Sequence, residues 1–285
     1  MKAIHVMLKR VFGVAATALV SAGLIQANAT EPCGDFGECK VLIEINSSDG
    51  DIGFHWLGDA DDLRAMRITD PNGAKVFENR GFGPLREQKL TETFGESAEP
   101  LCWPDPEADP EDLEDIVSLR DFRDIWEPGY YVFRGKGDGG EKLFGETELT
   151  YDLPGAPQDL DFDGSMITWI AGNDLGNCAP LADGDGQETI PYVLDIIADP
   201  ASVAVAAFEV VMEPDVDDGA VGNLKYTIRV PGDTFAVEVP SLYLASLPDD
   251  TPVKIEVGAI GEDDNATFTE EDGFCVNEVV GCPED

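Results

Sequence analysis

The stretch "DGDIGFHW", Asp49 to Trp56, sets two carboxylates, Asp49 and Asp51, close to His55. Carboxylates beside an imidazole are ligand types for zinc and partners for general acid–base catalysis. The chain has one other histidine, His5, near its start. Any triad or imidazole–metal site downstream must therefore use His55. The competing reading is structural. Asp-Gly between two alternating strands is a strong hairpin signal, because both central residues of a type I′ turn need positive φ. In "IGFHWL" the apolar residues Ile52, Phe54 and Trp56 share one face, which sends His55 to the opposite, solvent-facing side. On this pattern Asp49 and Gly50 form a turn and His55 does no chemistry.

Calcium is the other metal to weigh. It takes six to eight oxygens, which acidic loops containing glycine supply. The best cluster is "ADGDGQE", with Asp183, Asp185 and Glu188, followed by "DVDDG", with Asp215, Asp217 and Asp218. Neither has the EF-hand spacing, and a solvated acidic loop explains each as well. Paired carboxylates also serve glycosidases, but among 58 acidic residues a pair is no signal. Of the tryptophans, only Trp103 sits in a loop, where it could serve a glycan or pack on a disulfide.

All six cysteines, Cys33, Cys39, Cys102, Cys178, Cys275 and Cys282, lie past the first 29 residues. An even number without any CxxC pair argues for disulfides rather than zinc. Fifteen connectivities are open to six cysteines. Local pairs Cys33–Cys39 and Cys275–Cys282 would leave Cys102–Cys178 to join the halves of the chain, while Cys178–Cys275 is the natural alternative if the last strand begins near Phe274.

The compartment follows from the N-terminus. Lys2, Lys9 and Arg10 precede the apolar run Val11 to Ile25 and the small residues ending at Ala29, the three parts of a secretory signal over residues 1–29. The run falls short of the ~20 residues that span a bilayer. The reading is export to the periplasm or cell exterior, with no transmembrane segment in the mature chain. Removing the signal leaves 58 acids against 15 bases. A surface of that sign excludes nucleic acid and anionic membranes as partners, both of which need clustered Lys and Arg. The sequons at Asn46 and Asn265 would accept glycans in a eukaryotic secretory path.

The elements that must position these residues are β-strands. "KVLIEIN" and "IGFHWL" alternate, "DPNG" turns the chain between "LRAMRIT" and "AKVFE", and "LREQKLTETF" reads as one further strand. Two short helical pieces follow Asp109, the second restarting at Ser118. A hairpin of "YYVFRG" and "EKLFGETELTY" ends the first half near Leu153, and "LPGAPQDL" reads as a boundary.

The second half alternates most cleanly, in "LKYTIRV", "TFAVEV" and "PVKIEVGAI". Pro157 and Leu160 precede "SMITW", which ends at Trp169, Tyr192 suits the strand after it, and "LPDDTPVKIEVGA" carries Leu247, Thr251, Ile255, Val257 and Ala259. In these residues the half resembles a fibronectin type III domain. Val253 stands where that family usually has its corner tyrosine, and insertions lie around "NDLGNCAPLADGDGQE" and "EPDVDDGAVG". The resemblance implies a sandwich fold and an interaction or spacer role, never a reaction.

The sequence thus reads as an acidic, all-β, disulfide-bonded protein. A β-sandwich-like domain with a short helical insertion over 30–153 precedes the fibronectin type III-like domain over 155–280 and a tail over 281–285. The expected function is a non-enzymatic binding or structural protein with an unidentified protein or glycan partner and no cofactor. A calcium-dependent recognition module is the alternative, and an acid-pair hydrolase is third.

Overall fold

A computed structural model describes residues 33–102, 116–178, 193–216 and 219–282. The expected signal segment over residues 1–29, Trp103, Tyr192 and the acidic residues Asp183, Asp185, Glu188, Asp217 and Asp218 lie outside the described residues. Among the described residues no helix is long and apolar enough to cross a membrane.

The protein is all-β. Alternation sets the first strand: in β1 (Glu38–Asn46) every second residue is buried, with Val41, Ile43 and Ile45 pointing into the core. Its antiparallel partner β2 (Asp51–Thr69) is 19 residues long and does two jobs. Its first half lies between β1 and β4 (Leu90–Glu96), and its second half between β3 (Lys75–Arg80) and β5 (Gly129–Gly137). The change of partners falls at an irregularity around Asp62, whose φ of 61° bends the strand. β6 (Lys142–Leu149) pairs with β5 and returns to the start of the chain, where Asp35 N–H donates to the Phe144 carbonyl at 2.7 Å. The curl encloses an aromatic core in which Phe54 stacks on Trp126 at 3.9 Å between ring centroids.

Two local expectations change. The β1–β2 loop spans four residues, Ser47–Gly50, and only Gly50 has positive φ, so it is no two-residue type I′ turn. The Asn46 side chain caps the loop instead, accepting from the N–H groups of Ser48 and Asp49. "LREQ" belongs to a short helix, α1 (Gly83–Gln88), with Pro84 in its first turn, and the strand begins only at Leu90. The helical restart takes the expected form: in α2 (Leu119–Ile125), Ser118 Oγ accepts from Asp121 N–H. The first helical piece falls largely outside the described residues.

The second half has a fibronectin type III-like fold, seen directly in its strand order. One sheet runs β11 (Ala236–Glu238), β8 (Met166–Ile170), β7 (Gln158–Phe162). The facing strands run β10 (Tyr226–Pro231), β9 (Val205–Pro214), β12 (Thr251–Gly261), β13 (Ala266–Val276). Seven strands split three against four around one core make an immunoglobulin-like sandwich. Trp169 is buried edge-on against Phe208, and Leu247, Ile255, Val257 and Ala259 complete that core. Val253 is fully buried. The work of a corner tyrosine passes to Tyr243 on the short helix α3 (Ser241–Leu244), whose hydroxyl donates to the Met212 carbonyl at 2.9 Å.

The two halves share a sheet. β1 lies beside β13 in parallel register, Glu44 opposite Ala266, so one sheet runs β10-β9-β12-β13-β1-β2-β5-β6. Disulfides pair Cys33 with Cys39, Cys275 with Cys282, and Cys102 with Cys178, the last crossing between the halves. The insertion after β8 reaches the N-terminal core, where Leu175, Cys178, Val193 and Ile197 are buried. Asn265 fastens the junction. It is 1% exposed, its Oδ1 accepts from Ile43 N–H at 2.8 Å, and its Nδ2 donates to Thr150 Oγ1 at 2.9 Å. That amide is committed inside the fold, which removes Asn265 as a glycan acceptor in the folded protein.

Candidate functional site

Alternation along β1 and β2 places Leu42, Glu44, Gly53, His55 and Leu57 together on the face away from the aromatic core. The expectation of a solvent-facing His55 fails because this face is covered. β4 pairs along β2 and brings the Phe94 ring edge-on to the imidazole at 6.0 Å. The chain after β4 then continues along the β2 backbone. Ser97 exchanges hydrogen bonds with Phe54, Ile52 N–H donates to the Pro100 carbonyl, and Cys102 N–H donates to the Gly50 carbonyl. His55 is left 6% exposed.

This path carries Glu99 over the face. The ligand atoms of Glu44, His55 and Glu99 lie within 4.8 Å of one another, and His55 Nε2 is 3.3 Å from Glu99 Oε1. Gly53 makes the room: a Cβ there would sit 2.9 Å from both Glu99 Oε1 and His55 Nε2. Burial, with Glu99, Glu256, Glu209 and Glu96 nearby, pushes the Glu44 carboxyl up to about 7. Asp51, part-buried beside Glu99 and Asp49, is raised to about 6. Further across the same sheet, burial and Glu270 raise Glu256 to about 7. The result is a band of half-buried acids with a single imidazole at one end. Of the pair in the opening stretch, Asp51 belongs to this band, while Asp49 is exposed and accepts from Asn46 Nδ2. Glu44 and Glu99 carry no signal in the sequence, since each is one acid among dozens and they meet His55 only through pairing of distant strands.

A second site has the opposite sign. The second half of β2, with β3, β5, β6 and α1, forms an open groove of about 610 Å³ that continues into a neighbouring hollow of about 480 Å³. Its walls carry Arg64, Arg67, Arg80, Arg86, Arg134, Lys136 and Lys142, with Glu78 the acid among them. These seven are almost half of the 15 basic residues that follow residue 29. Like charges face each other directly across the strands, Arg67 opposite Arg134 and Lys136 opposite Lys142. Such pairing destabilises a sheet unless something offsets it. Arg67 faces Glu78 on β3, Arg64 is paired with Asp138, and the Arg134 guanidinium stacks on Phe144 at 5.3 Å. Among the described residues, Arg86, Lys136 and Lys142 have no acidic side chain within ion-pair distance.

No protein-family model and no curated protein matches the chain. Among solved structures it is similar to the FN1–FN3 domains of chicken CNTN1, with TM-score 0.29 and 11% identity over 83% of this chain and 66% of that one. It is also similar to a tetra-tandem repeat in the extending region of a large adhesion protein, with TM-score 0.25 and 11% identity over 84% of this chain and 49% of the other. A third neighbour is the structure of fibronectin(III)-like modules of Clostridium thermocellum CbhA, with TM-score 0.22 and 9% identity over 88% of this chain and 97% of that one. The chain thus spans about two thirds and one half of the first two neighbours, and its fibronectin type III-like fold rests on its own strand order.

Proposed function

We propose that this is an exported, non-enzymatic binding protein whose binding face is the basic groove of its N-terminal half, occupied by an anionic ligand. The observation that carries this reading is the like-charged pair Lys136 and Lys142, held face to face with no acidic side chain within ion-pair distance among the described residues, in a chain of net charge −40. Elsewhere bases are spent on acids: Lys254 lies between Glu213 and Glu270, and Arg229 is paired with Glu209. Leaving two lysines opposed to each other amid abundant carboxylates is what a surface that supplies charge to a partner requires. Polygalacturonate, a polymer of carboxylates, tests this by calorimetric titration. Binding that is abolished in Lys136→Glu/Lys142→Glu supports the groove. Binding unchanged in that variant, or no binding at any ionic strength, sinks it.

A second reading, that of a rigid spacer, draws on the shared sheet, the Cys102–Cys178 disulfide and the buried Asn265 at the junction near Leu153. It predicts that ¹⁵N relaxation of both halves fits one rotational diffusion tensor. Independent tumbling of the halves in the oxidised protein would exclude it.

A further inference from the structure

We propose that Glu44, His55 and Glu99 form a binding site for one divalent ion of the zinc class. Three donors from three stretches of chain already lie within 4.8 Å of one another, a spread small enough to close on a single ion. The donor set is one imidazole nitrogen and two carboxylates. It suits zinc or its late first-row neighbours, and it is too few in oxygen and wrong in nitrogen for calcium or magnesium.

Three further observations point to a ligand here rather than to a chance meeting of acids. His55 is a buried side chain whose Nε2 is turned into the cluster, toward Glu99. Glu44 is part-buried, its charged neighbours are all acids, and among the described residues no base forms an ion pair with it. A half-buried carboxylate facing further carboxylates is costly unless a proton or a cation joins them. Gly53 keeps the space between Glu99 and His55 clear, and any side chain there would fill it. Three protein donors would leave a tetrahedral ion one open position. Such an ion would clip the segment after β4 to β1 and β2, a few residues before Cys102.

The test is zinc titration of the full chain, oxidised, in a non-chelating buffer, read by competition with a chromophoric chelator and by ¹⁵N spectra of the imidazoles. Of the two histidines, His55 is identified by the signal lost in His55→Asn. One zinc per chain is expected, with the Nε2 resonance of His55 displaced, and neither calcium nor magnesium at the same concentration reproducing it. Glu99→Gln, at an exposed position that leaves the fold intact, and His55→Asn should each weaken binding by more than about 100-fold, since losing an outer-shell partner alone costs 10- to 100-fold. Zinc binding that leaves the His55 resonances in place, affinity unchanged in Glu99→Gln, or no binding at all would each overturn the assignment.

Discussion

One long strand serves two patches of opposite character. Around Gly53 and His55, β2 lies under a band of half-buried acids. Around Ala65 and Arg67 it lines a groove of exposed bases. In both places like charges are brought together, but the surroundings differ. The acidic band sits at the junction of the halves, where Glu44 is beside β13 and close to Glu256 and Glu209, and burial is what raises its carboxyls. The basic groove is open, its Arg67, Lys136 and Lys142 are exposed, and water screens their repulsion. The acids near the junction are therefore coupled to folding, whereas the bases of the groove are nearly free to serve a ligand. Substitutions in the first region should move stability, and substitutions in the second should move binding.

The largest effect is expected at the junction itself. In Asn265→Ala the buried Ile43 N–H loses its acceptor, and Thr150 loses the amide that donates to it. An unsatisfied buried donor together with a lost amide network should cost about 2–3 kcal/mol. For a chain of this size that lowers the thermal midpoint by roughly 5–10 °C. A loss below about 0.5 kcal/mol, the level of an ordinary surface substitution, would show that the shared sheet does not depend on this side chain and would blur the contrast between junction and groove.

The acidic band makes an unusual prediction about pH. Glu256 moves from an ordinary value of 4.5 to about 7 on folding, first through burial and then through Glu270. Between those values the folded state holds a proton that the unfolded chain has released. Unfolding free energy must then fall as pH rises through that window and level off above it. Glu44 shifts in the same direction. The lowered groups, Asp163 and Asp250 among them, lose their contribution only below about pH 4, as protonation breaks their hydrogen bonds to backbone N–H groups. Stability should therefore peak near pH 5 and be lower at pH 8. Glu256→Gln should flatten part of this slope, raising the pH 8 midpoint by on the order of 2–4 °C while leaving pH 5 unchanged. A midpoint that stays level from pH 5 to pH 8 would mean that the band is solvated and its carboxyls are not raised on folding, and one that rises would reverse the sign of the shift.

Much of the scaffold is legible in the sequence, and much of the chemistry is not, for one physical reason. Alternation in "KVLIEIN" and "SMITW" reports which face meets the core, and Val41, Ile43, Ile45 and Trp169 are buried as that pattern requires. It says nothing of what covers the other face. His55 reads as exposed because β4 and Glu99, some forty residues later, are invisible to a local pattern. Asn265 reads as a glycan acceptor because its acceptor role toward Ile43 spans 222 residues. The groove is hidden by the charge total: Arg67 and Arg134 become neighbours only once β2 and β5 pair, and a net charge of −40 gives no hint that seven bases gather there.

The smallest expected effect is the most diagnostic for the groove. Lys136 and Lys142 stand directly opposite each other on β5 and β6. Lys136→Glu turns a repelling cross-strand pair into an attracting one, which should stabilise the sheet by about 0.2–1 kcal/mol. A residue retained for the fold does not improve the fold when its charge is reversed, whereas one retained for a ligand can, because selection for binding tolerates a local cost in stability. The expected outcome is a midpoint raised by about 1–3 °C at low salt, with the gain fading as salt screens the pair. The corresponding reversal of a base that is already paired, Lys254→Glu between Glu213 and Glu270, should lower the midpoint instead. If both reversals destabilise the protein alike, Lys136 is held by interactions within the fold, and the groove loses its distinction from the rest of the surface.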